Sequence, residues 1–157
     1  MSTRFKRFTN NFHIIDKLIQ VETIGDAYMV ASGIPIPNGL HHAVELSKMA
    51  LDLLAKVLTF EIKHKPQHRL KLRMGLHSGQ VVGGVVGTKI PHYSVFGDAV
   101  ELASLMESSG QAMKIQISSA TKDILQDEGS FNIQARGNVH LPSIGNVYTF
   151  WLIGRKE

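Results

Sequence analysis

Between residues 39 and 62, Ala43, Leu46, Ala50, Leu53 and Val57 recur at three- and four-residue intervals, while Lys48, Asp52 and Lys56 fall four apart outside that stripe. This spacing predicts a helix with one buried face, and Pro66 marks the latest position at which it can end. Residues 4–20 set Phe5, Phe8, Phe12, Ile15 and Ile19 at the same intervals opposite Lys6, Arg7, Asn10 and Lys17, which predicts an amphipathic packing helix in the N-terminal segment 1–19. Two shorter helices are expected. One carries Val100, Ala103 and Met106 within 99–108; the other starts at SSATKDILQ, with Ser118 or Ser119 as N-cap and Gly129 closing it.

Period-two patterns lie between these helices. In LKLRMGLHSG from residue 70, Leu70, Leu72, Met74 and Leu76 alternate with Lys71, Arg73, Gly75 and His77, the signature of a strand. QVVGGVVG, which follows, is a candidate for a buried strand or a turn, and KIQIS at 114–118 is another strand. The run DAYMVAS is stopped by Gly33, Pro35 and Pro37, and with the preceding VETI it predicts a hairpin turning at Gly25–Asp26. FNIQARGNVHL and VYTFWLIG form two strands around the turn-rich PSIGN. Hairpins mixed irregularly with helices argue for an α+β fold, a mixed or antiparallel sheet with helices packed on it. No internal repeat interrupts that picture.

Composition narrows the function classes. The 157 residues suit one domain, and 43% apolar with 19% charged residues is ordinary globular composition. With no cysteine there is neither a disulfide framework nor a thiolate metal site, which fits a reducing, cytoplasmic setting. No run approaches the ~20 apolar residues of a membrane span, and MSTRFKRFTNNF lacks the apolar core of a signal peptide, so a soluble chain is expected. Lys plus Arg number 17 against 13 Asp plus Glu, a net charge of +4. The densest basic cluster, EIKHKPQHRLKLR, has no interleaved aromatics and reads as a solvated helix end rather than a nucleic-acid surface.

VETIGDAYMVASGIP, LRMGLHSGQVVGGVVG, the segment from FGDAV to MESSG, and the terminal TFWLIG occur in the order found in class III nucleotidyl cyclases. The chain from about 20 to 154 resembles their catalytic domains, above all those of receptor-type guanylate cyclases, with residues 20–157 as the cyclase-like domain. The resemblance implies a ferredoxin-like α/β sandwich working as a head-to-tail dimer, either a homodimer or a heterodimer with another cyclase subunit. It implies GTP as substrate, cyclic GMP and pyrophosphate as products, and Mg2+ or Mn2+ as the ions of a two-metal displacement. Asp26 matches a metal-binding aspartate of such cyclases, although an Asp after Gly25 also suits a hairpin tip on structural grounds alone. Glu22 matches the carboxylate that accepts hydrogen bonds from guanine, and Ser94 falls at the second base-selecting position, where its hydroxyl can reach guanine O6.

Four departures weaken the implied chemistry. The family helix reads FGDTVNTASRMES; here Glu101 replaces the ribose-orienting asparagine and Leu105 replaces the arginine that stabilises charge on the α-phosphate. Such an arginine can be worth ~10³ or more in rate. In RGNVHLPSIG, Pro142 stands where a triphosphate-binding lysine is expected and Ile144 replaces the next lysine, with His140 close by. The family's first metal aspartate lies on a strand of the type LF-x-DIVGFT, and nothing in MSTRFKRFTNNF resembles it, so the first central strand is expected to be missing. Weak or absent turnover is the expectation for the chain alone. The alternative is a pseudocyclase or truncated isoform that pairs with a cyclase subunit and modulates it.

Overall fold

The computed structural model describes residues 2–6, 18–24, 27–61, 63 and 69–156. Its strands are β1 (Ser2–Lys6), β2 (Leu18–Ile24), β3 (Ala27–Ser32), β4 (Met74–His77), β5 (Val82–Val86), β6 (His92–Phe96), β7 (Ile115–Ser118), β8 (Phe131–Leu141) and β9 (Gly145–Arg155). Among the described residues three helices accompany them, α1 (His41–Thr59), α2 (Asp98–Ser108) and α3 (Ser119–Glu128). Seven strands form one sheet in the order β2-β3-β1-β4-β7-β9-β8, and β5 pairs with β6 in a separate two-stranded sheet. Among the described residues only β4 and β7 run parallel; the other pairs are antiparallel, which is the mixed sheet of an α+β fold.

Strand alternation sorts the helices to opposite faces. Met74, Leu76, Ile115, Ile117 and Leu152 join Ala43, Leu46, Ala50, Leu53 and Val57 of α1 in the main core, together with Leu125 of α3. The expected inward stripe of the 39–62 helix is therefore buried as the spacing predicts. The intervening positions Gly75 and Gln116 face the other way, towards α2. A Cβ on Gly75 would come 2.1 Å from the backbone nitrogen of Glu107, and Gln116 Nε2 lies 3.8 Å from Met106 Sδ. Glycine in mid-strand here permits a close helix approach. The smaller cluster around Ala31 and Val95 fastens the β5–β6 sheet to the end of β3.

Three expectations need correction. Ser2–Lys6 is a strand, and strand structure resumes at Leu18, so the helix expected over 4–20 is not formed at either end; its middle, 7–17, lies outside the described residues. The sheet centre, expected to lack a strand, is filled by β1, which pairs with β3 on one side and β4 on the other. The physical reason is the same for both: two inner strand edges present unpaired N–H and C=O groups, and satisfying them outweighs a local apolar spacing. The VGGVV of β5 is neither buried nor a turn, but an exposed strand, because among the described residues no helix covers it and β6 is its only strand partner. The α3 cap is as expected, with Ser118 Oγ accepting from the Thr121 N–H and Gly129 at φ 89°.

Candidate functional site

Two of the candidate residues lie on neighbouring strands. Glu22 is on β2 opposite Met29, just past a bulge between Gln20 and Glu22. Ser94 is on β6 opposite Gly84, and it is buried. The two strands approach each other although they belong to different sheets. One glycine of β5 has a local cause: a Cβ on Gly83 would stand 2.1 Å from the Tyr93 hydroxyl oxygen, so the ring lies against it as placed only without a side chain there.

Helix α2 presents the substituted positions on its outer side. It starts at Gly97, whose φ of 134° is open to glycine, and no side chain caps it. Asp98 and Glu101 occupy its first turn, where the positive end of the helix dipole favours carboxylates. Glu101 is thus locally stabilising for the helix. It is exposed, and Leu105, four residues on along the same face, is half-buried. The opposite face is fixed by Ala103 and Met106 in the interior and by Glu107, whose Oε1 accepts from Arg73 Nε at 2.7 Å.

The loop between β8 and β9 is a tight turn. Leu141 is wholly buried, the Ile144 N–H donates to the Leu141 carbonyl at 3.3 Å, and Ser143 adopts φ 67°. Pro142 is exposed at the tip, and neither it nor Ile144 offers a donor to an anion. His140 pairs across the strands with Asn146, its Nδ1 3.2 Å from Asn146 Oδ1. A cation is thus not supplied by this turn.

Strand β2 ends at Ile24 and β3 begins at Ala27; Gly25 and Asp26 between them lie outside the described residues. The strand beside them, β1, reads STRFK and brings no carboxylate, and its Lys6 is the register partner of Ala27. Among the described residues no group of three His, Cys, Asp or Glu is placed to hold a metal.

Two polar networks were not anticipated from the sequence. A β-bulge between Ala135 and Gly137 leaves Arg136 as the extra residue on β8, which turns it onto the α2 face. There Arg136 Nη1 donates to the Ser109 carbonyl at 2.8 Å and to Gln116 Oε1, with the guanidinium 4.5 Å from the Trp151 ring centroid. The arginine ties the C-terminus of α2 to the sheet, where its charge also suits the helix dipole. In the second network His77 Nδ1 lies 2.8 Å from Ser118 Oγ, and Thr121 Oγ1 links Ser118 to Ser78. Burial lowers the His77 pKa to about 4, so the ring is neutral near pH 7. The Arg-Gly pair was the available sequence signal for the bulge; the His77 network had none, since its members are 41 residues apart.

Among the described residues no helix is long and apolar enough to cross a membrane. The chain matches the Adenylate and Guanylate cyclase catalytic domain family over residues 1–154. It is 49% identical over 155 residues to human atrial natriuretic peptide receptor 2, covering 99% of this chain and 14% of the receptor. Over 156 residues it is 47% identical to mouse guanylate cyclase 2G, covering 96% of this chain and 14% of that protein. The chain therefore spans about 14% of the length of these curated relatives. Among solved structures, the guanylate cyclase domain of RhGC from Catenaria anguillulae, in complex with GTP, superposes with a TM-score of 0.82 at 29% identity, covering 99% of this chain and 96% of that one. A dimeric guanylyl cyclase domain from Blastocladiella emersonii gives a TM-score of 0.78 at 27% identity, covering 99% and 96%. Fold, motif order and sequence identity agree: the chain belongs to the adenylate and guanylate cyclase catalytic domain family.

Proposed function

We propose that this chain is a guanylate cyclase-type domain that recognises GTP but converts it to cyclic GMP and pyrophosphate weakly or not at all on its own. The observation that carries the reading is α2, which buries Ala103 and Met106 on its inner face yet presents Glu101 and Leu105 on its outer face. Glu22 and Ser94, on adjoining strands, supply a carboxylate acceptor and a hydroxyl for guanine. Nothing on α2 or the β8–β9 turn then neutralises charge building on the phosphates, because leucine and proline donate no hydrogen bond. A divalent ion, Mg2+ or Mn2+, would be held in this chain by Asp26.

A second reading is a non-catalytic subunit that pairs with a complete cyclase domain, or with a second copy, and alters its rate. It is favoured by the apolar exposure of the β5–β6 hairpin, where Val82, Val85 and Ile90 are 72%, 70% and 81% accessible. One assay separates the readings. Purified chain is incubated with GTP and Mg2+ or Mn2+, with and without a complete cyclase subunit, and cyclic GMP is measured. The expected result is background product from the chain alone. Robust turnover by the chain alone would sink the proposal, and a changed partner rate without product from this chain supports the second reading.

A further inference from the structure

Trp151 is the single tryptophan of the chain, and as the register partner of Gln116 it lies on the sheet face that carries α2. Two cations stack on it. Lys114 Nζ is 4.8 Å and Arg136 Cζ 4.5 Å from its ring centroid. Register places them on opposite sides of the indole. Gln116 on β7 and Gln134 on β8 flank Trp151, and both strands run antiparallel to β9. Lys114 lies two residues before Gln116 and Arg136 two beyond Gln134, so they approach from opposite ends of the strand direction and the charges stand up to about 9 Å apart.

Among the described residues neither cation has a carboxylate. Lys114 is exposed, and its Nζ makes no hydrogen bond or ion pair. Arg136 uses only Nη1, on two neutral acceptors, the Ser109 carbonyl and Gln116 Oε1; its Nε and Nη2 have no partner and are not sealed from solvent. Burial pushes the guanidinium pKa down from its ordinary value, and no neighbouring charge offsets that. Arg73 borders the same helix end, its Cγ 3.3 Å from where a Cβ on Gly110 would stand, and it already holds the buried Glu107. The end of α2 is left with two unmatched positive charges about one aromatic ring.

The spacing selects the occupant. One small anion cannot touch cations on both faces of an indole. An extended peptide can, because its alternate side chains project to one side at about 6.4–6.8 Å and carboxylate arms close the remaining distance. The free Nε–Nη2 edge of Arg136 is a fork suited to a bidentate carboxylate. We propose that the Lys114–Trp151–Arg136 stack docks an extended acidic segment of a partner protein, with carboxylates two residues apart meeting the two cations across the indole. Ser109 is on the order of 12 Å along the helix axis from Glu101, so the dock is separate from the substituted face of α2. It needs no turnover and stands apart from the cyclase reading.

The lone indole N–H reports on the site directly. The full, nitrogen-15-labelled chain is titrated with end-blocked hexaglutamate, hexaglutamine, inorganic phosphate or decathymidylate while the Trp151 indole resonance is followed. Hexaglutamate should give a saturable shift whose midpoint weakens about 5-fold or more between roughly 0.05 and 0.5 M salt. Hexaglutamine should give no shift, and phosphate none at equal concentration. Lys114→Gln should weaken hexaglutamate about 3-fold or more and Arg136→Gln about 10-fold or more, while Lys89→Gln, an exposed lysine elsewhere, should leave it unchanged. Lys114 Nζ holds no other group, so its variant decides the matter even where Arg136→Gln fails to fold. The proposal is overturned if hexaglutamate gives no saturable shift at low salt, if hexaglutamine binds equally, or if Lys89→Gln weakens binding as much as Lys114→Gln. It is also overturned if phosphate or decathymidylate saturates the shift at a lower concentration than hexaglutamate.

Discussion

Strands β4 and β5 are joined by residues 78–81 and built from similar residues, MGLH and VGGVV, yet they differ completely in burial. In β4, Met74 and Leu76 are wholly inaccessible; in β5, Val82 and Val85 are 72% and 70% accessible. The difference is in the neighbours. β4 has a strand on each side, α1 over one face and α2 over the other, whereas β5 pairs, among the described residues, with β6 alone. Apolar character therefore makes scaffold in one strand and leaves a surface to be covered in the next. The same division runs through α2, whose inner face is scaffold and whose outer face carries the substituted positions.

The largest effect should come from restoring that outer face. If the inner packing is that of an intact cyclase helix, Glu101→Asn with Leu105→Arg changes only exposed or half-exposed chemistry. Paired with a complete cyclase subunit that supplies the metal carboxylates, the double variant should raise cyclic GMP formation over the parent pairing by ~10³. The chain alone should stay at background. Equal rates for parent and double variant would show that the loss does not reside on α2.

Next in size is the scaffold itself. Leu76→Ala removes a wholly buried side chain from the centre of the core and should cost about 2–5 kcal/mol in denaturant unfolding. The core was readable in the sequence because its positions repeat: the stripe from Ala43 to Val57 and the alternation from Leu72 to Leu76 are both buried as their periods imply. The caps at Ser118 and Gly129 were readable because each residue acts on its own backbone neighbourhood. What sequence could not reveal depended on distant partners. The Phe5 spacing suggested a helix, but the open edges of β3 and β4 decide what Ser2–Lys6 becomes. VGGVV looked buried because only the missing cover distinguishes it from a core strand. Of the candidate site, the motifs placed Glu22, Ser94, Glu101 and Leu105 by order along the chain. The bulge that swings Arg136 onto α2 and the close approach at Gly75 needed the fold.

A smaller effect sits where the end of β4 meets α3. Ser118→Ala deletes the cap acceptor and should cost about 1 kcal/mol. It also removes the hydroxyl facing His77 Nδ1. Because burial holds the folded His77 pKa near 4, below the unfolded value of 6.5, the unfolded chain binds the extra proton first as pH falls. The contribution is complete above pH 6.5 and is lost progressively down to about pH 4, so the melting temperature should fall across that window. His77→Gln should flatten this slope. An unchanged slope in the variant would place the acid sensitivity elsewhere.

The smallest expected change in stability is the one that bears most directly on the contrast between β4 and β5. Val82→Ser with Val85→Ser alters side chains that already face water, so unfolding free energy should move by no more than about 0.5 kcal/mol. If these valines serve as a contact surface, the same variant should weaken self-association or pairing with a cyclase subunit, measured by sedimentation across a concentration series. The two readouts pull apart only when the hairpin is an interface. A stability loss comparable to that of Leu76→Ala would mean instead that β5 belongs to the scaffold, and an unaltered association constant would remove the observation that favours a non-catalytic partner role.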